Sequence, residues 1–169
     1  MSIIDNMVEE SKTQFEQRKS DHIEYSLLDQ NEALGESGLC SFELIHDALP
    51  DLDFSDIDIS TQFLNEKVRS PFFISSMTAG HAGSVNINLR LAKASAKNGW
   101  FMGVGSQRKE LFDNTAAKEW EQILNQAPEA RLIGNIGISQ LIHTPIASVQ
   151  KLVDSLNGKA LFIHLNALQ

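Results

Sequence analysis

Cysteine, long apolar runs and, in the first third, basic residues are what this 169-residue chain has least of. Cys40 is the sole cysteine, so no internal disulfide can form, and a reducing, cytoplasmic setting is expected. Its neighbours Leu39, Ser41 and Phe42 offer no base to activate a thiolate, which leaves a small, half-buried packing residue as the expected role. No apolar run reaches the roughly 18 residues that a membrane helix needs. The stretch from Met1 to Glu10 carries acids where a secretory signal would carry bases and an apolar segment. Charge is uneven: residues 1–66 hold 16 acids against three bases (Lys12, Arg18, Lys19), a balance of −13, whereas residues 67–169 hold 6 acids against 11 bases, a balance of +5. Those later bases are scattered and not interleaved with aromatics, so nucleic acid is not an expected partner, and neither is a membrane. A small anion is, because local charge placement matters more than the total.

The chain changes character near Ser70-Pro71, which divides it into segments 1–70 and 71–169. The first is acidic and irregular. It reads as a helix from about Asp5 to Lys19, a second helical stretch from His22 to Leu28, and a turn at Gly35 and Gly38. An apolar patch from Leu39 to Leu49 and a short strand near Ile57 to Thr61 follow. The second segment is regular. Apolar runs at 72–75, 100–104, 131–135 and 160–164 recur with about the spacing of one βα unit. Between them lie helical patterns. One runs from Asn88 to Lys97 and stops at Asn98-Gly99. Another runs from Thr115 to Gln126, with Asn114 as cap and Trp120, Ile123 and Leu124 on one face. The third opens with Thr144 as cap and Pro145 at the first helical position, keeps its period through Ile146, Val149, Leu152, Val153 and Leu156, and ends at Asn157-Gly158.

Strict alternation of this kind is α/β architecture with a parallel sheet, either open and doubly wound or part of a barrel. Polar residues follow each strand: Ser76, Met77 and Thr78; then Ser106, Gln107 and Arg108; then Asn135; then His164 and Asn166. Parallel strands point one way, so these groups converge on one rim, as at the C-terminal face of a (β/α)8 barrel. An open sheet binds chiefly at one switch point, so the barrel is favoured. Ile74, Met102, Ile133 and Ile163 are expected to face its interior.

Several clusters could carry chemistry. Arg18, Lys19 and His22 concentrate positive charge in an acidic region, which suits a diphosphate; the spacing alone leans to a solvated helix end. Ser75-Ser76-Met77-Thr78-Ala79-Gly80 follows a strand with small residues, as a flavin- or phosphate-contacting loop does and as an ordinary βα turn does. Gly103-Val104-Gly105-Ser106-Gln107-Arg108 lacks the third glycine of a dinucleotide fingerprint, which excludes that reading but leaves an anion site. His164 and Asn166 share a strand face, where satisfied core polar groups compete with a functional role.

Taken in order, Arg18-Lys19-x-x-His22, the Ser76-Met77-Thr78 loop, Met102-Gly103-Val104-Gly105-Ser106-Gln107-Arg108 and His164-x-Asn166-x-x-Gln169 resemble the type II isopentenyl-diphosphate isomerase family. Ile45-His46-Asp47-Ala48-Leu49-Pro50 and Asp58-Ile59-Ser60-Thr61 add to the resemblance, which runs from about Gln17 to Gln169. It implies a (β/α)8 TIM barrel, of which this chain carries the N-terminal region plus about four βα units. It implies interconversion of isopentenyl and dimethylallyl diphosphate on reduced FMN, with NADPH as reductant, Mg²⁺ bound beside the diphosphate, and a homotetramer or homo-octamer. By the same resemblance Ser76, Met77, Thr78, Ser106 and Asn135 contact FMN. Arg18, Lys19, His22, Ser106, Gln107, Arg108, His164 and Gln169 contact substrate, His164 and Gln169 being catalytic, and Asn166 lies in the diphosphate and metal shell.

Two departures stand out. Ala79 replaces a glycine of the family's loop, a strain of roughly 1 kcal/mol if the position has positive φ. The family's metal-binding Glu follows the position of Gln169 and falls beyond the sequence, as do the later strands, so the 169-residue chain alone is expected to associate, to bind FMN weakly and to be inactive. The alternatives are another FMN barrel oxidoreductase, acting on hydroxy acids or of the inosinate-dehydrogenase kind, and a non-catalytic half-barrel.

Overall fold

The computed structural model describes residues 17, 20–21, 23–77, 84–113 and 116–165. The chain divides into two compact units, Met1–Asp58 and Ile59–Gln169.

In the first unit, residues 23–26 are helical, and short 3-10 turns follow at Asp29–Asn31, Leu39–Ser41 and Phe54–Asp56. No described residue of this unit is buried. Cys40 is therefore exposed and not half-buried: its turn hangs on Gly38, left-handed at φ 83°, with no layer beneath it, and its thiol donates to Glu36 Oε2 at 2.7 Å. The helix expected from about Asp5 to Lys19 lies outside the described residues except at Gln17.

The second unit opens with an antiparallel hairpin of β1 (Thr61–Phe63) and β2 (Glu66–Val68). The strand foreseen near Ile57 to Thr61 thus starts later and pairs with a partner that the sequence did not announce. The two turn residues, Leu64 and Asn65, have φ of 51° and 62°, the mirror-image turn that matches strand twist. After it come β3 (Phe73–Ile74), α1 (Val85–Asn98), β4 (Phe101–Gly103), α2 (Ala117–Gln126), β5 (Arg131–Gly137), α3 (Ile138–Leu141), α4 (Ile146–Asp154) and β6 (Leu161–His164). The four later strands pair in parallel in the order β3-β4-β5-β6. The expected α/β alternation with a parallel sheet is what the chain forms.

Helix ends follow local chemistry. At the end of α1, Gly99 is left-handed (φ 69°); its N–H donates to Ala96 O at 3.4 Å and that of Trp100 to Ser95 O at 3.1 Å, a Schellman turn. Beyond α4 the same turn forms on Asn157 (φ 49°), whose N–H donates to Asp154 O at 2.9 Å while that of Gly158 reaches Val153 O at 3.0 Å. The start of α4 differs from expectation by one residue. Thr144 Oγ1 donates back to Gln140 O at 2.7 Å, which leaves Pro145, at ψ 141°, as the residue before the helix. Asn114 lies outside the described residues.

Register separates the two sheet faces, because paired residues of parallel strands share a face and neighbours alternate. Ile74, Met102 and Leu132 pair across β3, β4 and β5 and lie under the helices, packed with Ala92, Trp120 and Ile123. Ile133 pairs with Gly103 on the opposite face, beside Phe101 and Val68. Ile163 pairs with Ile136, two residues beyond Gly134 and four beyond Leu132, and so belongs to the helix-covered face. The four isoleucine and methionine positions expected to share an interior face are therefore split, since the apolar runs enter the sheet in different phases.

The helix-free face has a floor made by the hairpin. Phe63 meets Phe73 and Phe101 edge-on, at 6.1 and 5.1 Å between centroids, and Phe73 meets Phe162 at 5.7 Å. Arg131 stacks its guanidinium over Phe101 at 5.5 Å and donates to Lys67 O at 3.1 Å. Glu66 pairs with Lys159, and that bond, with help from Arg131, holds its carboxyl below the usual range. An apolar cavity of about 430 Å³ lies here, lined by Phe63, Val68, Phe73, Phe101 and Phe162.

Candidate active site

The same helix-free face carries the candidate site at its other end. Gly103, Asn135 and His164 lie on it: Gly103 pairs with Ile133, Asn135 with Phe162, and Gly137 with His164. Ser76 follows β3 and closes over Gly103. A Cβ on Gly103 would collide with Ser76 Oγ and sit 3.1 Å from Phe162 Cε2 and 3.2 Å from Ser76 N. Only glycine fits such an approach. Ser76 Oγ is buried and has no hydrogen-bond partner, an arrangement that costs about 1–3 kcal/mol unless something supplies one. Asn135 is buried beside it, while His164 is exposed at the strand end.

Other expected site residues are placed differently. Met77 is 68% exposed. Ser106 is half-buried and opens a 3-10 turn, Gln107–Leu111, that also carries the half-buried Arg108. Gln107 turns inward and is 1% exposed. Its Nε2 donates to Glu110 Oε2 at 2.9 Å and to Leu152 O at 3.0 Å, and its Oε1 accepts from the Asn135 N–H at 3.2 Å. Each polar atom of its amide thus has a partner within the protein. Arg18, Lys19, His22, Thr78, Asn166 and Gln169, with Ala79, lie outside the described residues.

Two residues of this region went unnoticed in the sequence. Gly134 sits where a Cβ would come within 2.7 Å of Gln107 Oε1 and 2.8 Å of Leu161 Cδ1. A glycine inside an apolar strand is a signal of such close approach. The other is Glu110: burial pushes its carboxyl up to about 7, against hydrogen bonds from Gln107, Ser155 and Trp120 that pull it down. Among the described residues no cluster of His, Cys, Asp and Glu could hold a metal ion. None of the described helices is long and apolar enough to cross a membrane.

A glycine-floored shelf with an orphaned hydroxyl and a buried Asn, at the carboxyl ends of parallel strands, suits a planar, hydrogen-bonding ligand. Residues 27–133 match the FMN-dependent dehydrogenases, and the chain belongs to that family. Within that family its relatives are more specific. It is 52% identical over 166 residues to a Bdellovibrio bacteriovorus protein named isopentenyl-diphosphate delta-isomerase, covering 96% of this chain and 48% of the relative. Identity is 52% over 157 residues to the protein of that name from Legionella pneumophila, covering 93% and 46%, and 39% over 165 residues to that from Halobacterium salinarum, covering 96% and 46%. The chain spans about half the length of the curated relatives it matches. These names agree with the resemblance carried by the four motifs.

Proposed function

We propose that this protein is an FMN-dependent isomerase that interconverts isopentenyl and dimethylallyl diphosphate, in a (β/α)8 barrel whose first half is segment 71–169 and whose substrate clamp is carried by segment 1–70. The observation that carries the reading is the buried, unpartnered Ser76 hydroxyl over the side-chain-free Gly103, on one strand face with Asn135. The residues fit FMN: Ser76 and Asn135 offer hydrogen-bonding groups to a ring edge, and Gly103 lets Ser76 close onto the strand; Met77, Thr78 and Ser106 are the further flavin contacts of this reading. When bound, reduced FMN supplies proton transfer at the double bond, with no net redox change.

The chain's own groups position and neutralise charge. Arg18, Lys19, His22 and Arg108 bind the diphosphate through charge-assisted hydrogen bonds, and Mg²⁺ shares that load near Asn166. His164 and Gln169 line the reacting end of the substrate. NADPH serves as reductant, and the working form is a cytoplasmic homotetramer or homo-octamer. The runner-up is a hydroxy-acid oxidoreductase, favoured by the family to which the chain belongs. Incubating the FMN-loaded complete barrel, of which segment 71–169 is the first half, with lactate-like acids and, separately, with isopentenyl diphosphate under a reductant decides between them. Isomerisation with a flavin spectrum untouched by the acids supports the proposal; flavin reduction by the acids, without isomerisation, overturns it.

A further inference from the structure

The turn after β4 shows how the rim is held in place. Gln107 has two amide hydrogens and one accepting oxygen, and its surroundings dictate which end goes where. Glu110 Oε2 and Leu152 O accept from Nε2, and the Asn135 N–H donates to Oε1. Ser155 Oγ, which donates to Leu152 O at 2.9 Å, lies 3.4 Å from the same carboxyl oxygen of Glu110. Without the Glu110 acceptor, one buried amide hydrogen of Gln107 is left unsatisfied. The amide then keeps only Leu152 O as acceptor for Nε2 and is held less firmly in the orientation that accepts from the Asn135 N–H.

We propose that Glu110 is a positioning residue of the flavin site: by fixing the Gln107 amide it holds the Asn135 backbone and the turn bearing Ser106 in the arrangement that receives the flavin. This rests on the proposed function, because it takes Asn135 and Ser106 as flavin contacts. Glu110 itself reaches neither flavin nor substrate; it acts through Gln107, across the sheet from the shelf.

Glu110→Met, which keeps the length but removes the acceptor, is compared with Glu110→Gln, which keeps an acceptor oxygen. Hydrogen exchange at the Asn135 amide and FMN titration by fluorescence are measured on all three proteins. In the unaltered protein the Asn135 amide exchanges slowly; fast exchange there overturns the proposal even if the Met variant does not fold. The Met variant is expected to exchange faster at Asn135 and to bind FMN about tenfold more weakly, with Gln restoring both to within about threefold. Overturning results are a Met variant unchanged in both readouts, or a Gln variant as impaired as Met. If the unaltered protein binds no FMN, the proposed function fails with it; if it binds FMN and the Met variant binds equally well, only the role of Glu110 fails.

Discussion

The Ser76 hydroxyl has two opposite consequences for stability and binding. With no partner in its buried place, it penalises the flavin-free fold; given a ring-edge acceptor, it contributes to affinity. Ser76→Ala should therefore raise the melting temperature of the flavin-free protein by the equivalent of about 1 kcal/mol while weakening FMN binding. Calorimetry and a flavin titration check the pair, and a loss in both would show that the hydroxyl is satisfied in solution. Glu110 gives a second residue-level prediction. Burial lifts its carboxyl from the ordinary 4.5 to about 7, with the neighbouring charge of Glu119 adding to the rise. Between those values the folded state binds a proton that the unfolded state has released, so stability falls as pH rises through this window and is level above it. Glu110→Gln should remove that slope and stabilise the protein by up to about 3 kcal/mol at about pH 8, with little change at about pH 4. Melts at both pH values test it; an equal gap at both would reject the buried acid. Ser76, Asn135 and His164 were legible in the sequence because each interrupts or ends an apolar strand. Gln107 was legible as important but not in its direction, since a polar residue on a rim turn can face either way, and only the acceptors on α4 and Glu110 decide.

At the scale of elements, the four parallel strands and the helices between them could be read from period and from the stop signals at Gly99 and Asn157-Gly158. The hairpin could not. Its turn residues, Leu64 and Asn65, lack the usual Asn-Gly signature, and Leu64 bears the steric cost of a left-handed conformation. Installing that signature with the double substitution Leu64→Asn and Asn65→Gly should stabilise the second unit by about 1 kcal/mol. A urea titration with unchanged slope and a higher midpoint is the expected result; no shift would mean that Leu64 packing offsets its strain. Sheet facing was also illegible, because β3 has two residues and β4 three, too short for alternation to reveal the face. Register resolved it, moving Met102 and Ile74 under the helices.

At the scale of the molecule, helices cover one face of the sheet and the hairpin closes the start of the other, and the carboxyl ends of the strands form the polar rim at which the flavin is proposed to bind. Phe73 and Phe162 remain 38% exposed on that helix-free face, which in a closed barrel would be the interior. The motif order in the sequence pointed to the same chemistry as the names of the relatives; the clamp residues Arg18, Lys19 and His22 rest on that order alone. The most direct measurement is isomerisation of isopentenyl diphosphate by the complete barrel, of which segment 71–169 is the first half, in deuterated water, followed by NMR, with FMN reduced, oxidised or omitted. Deuterium-bearing dimethylallyl diphosphate formed only with reduced FMN is the predicted result. Product formed equally without flavin, or no product under any of the three conditions, would contradict the assignment.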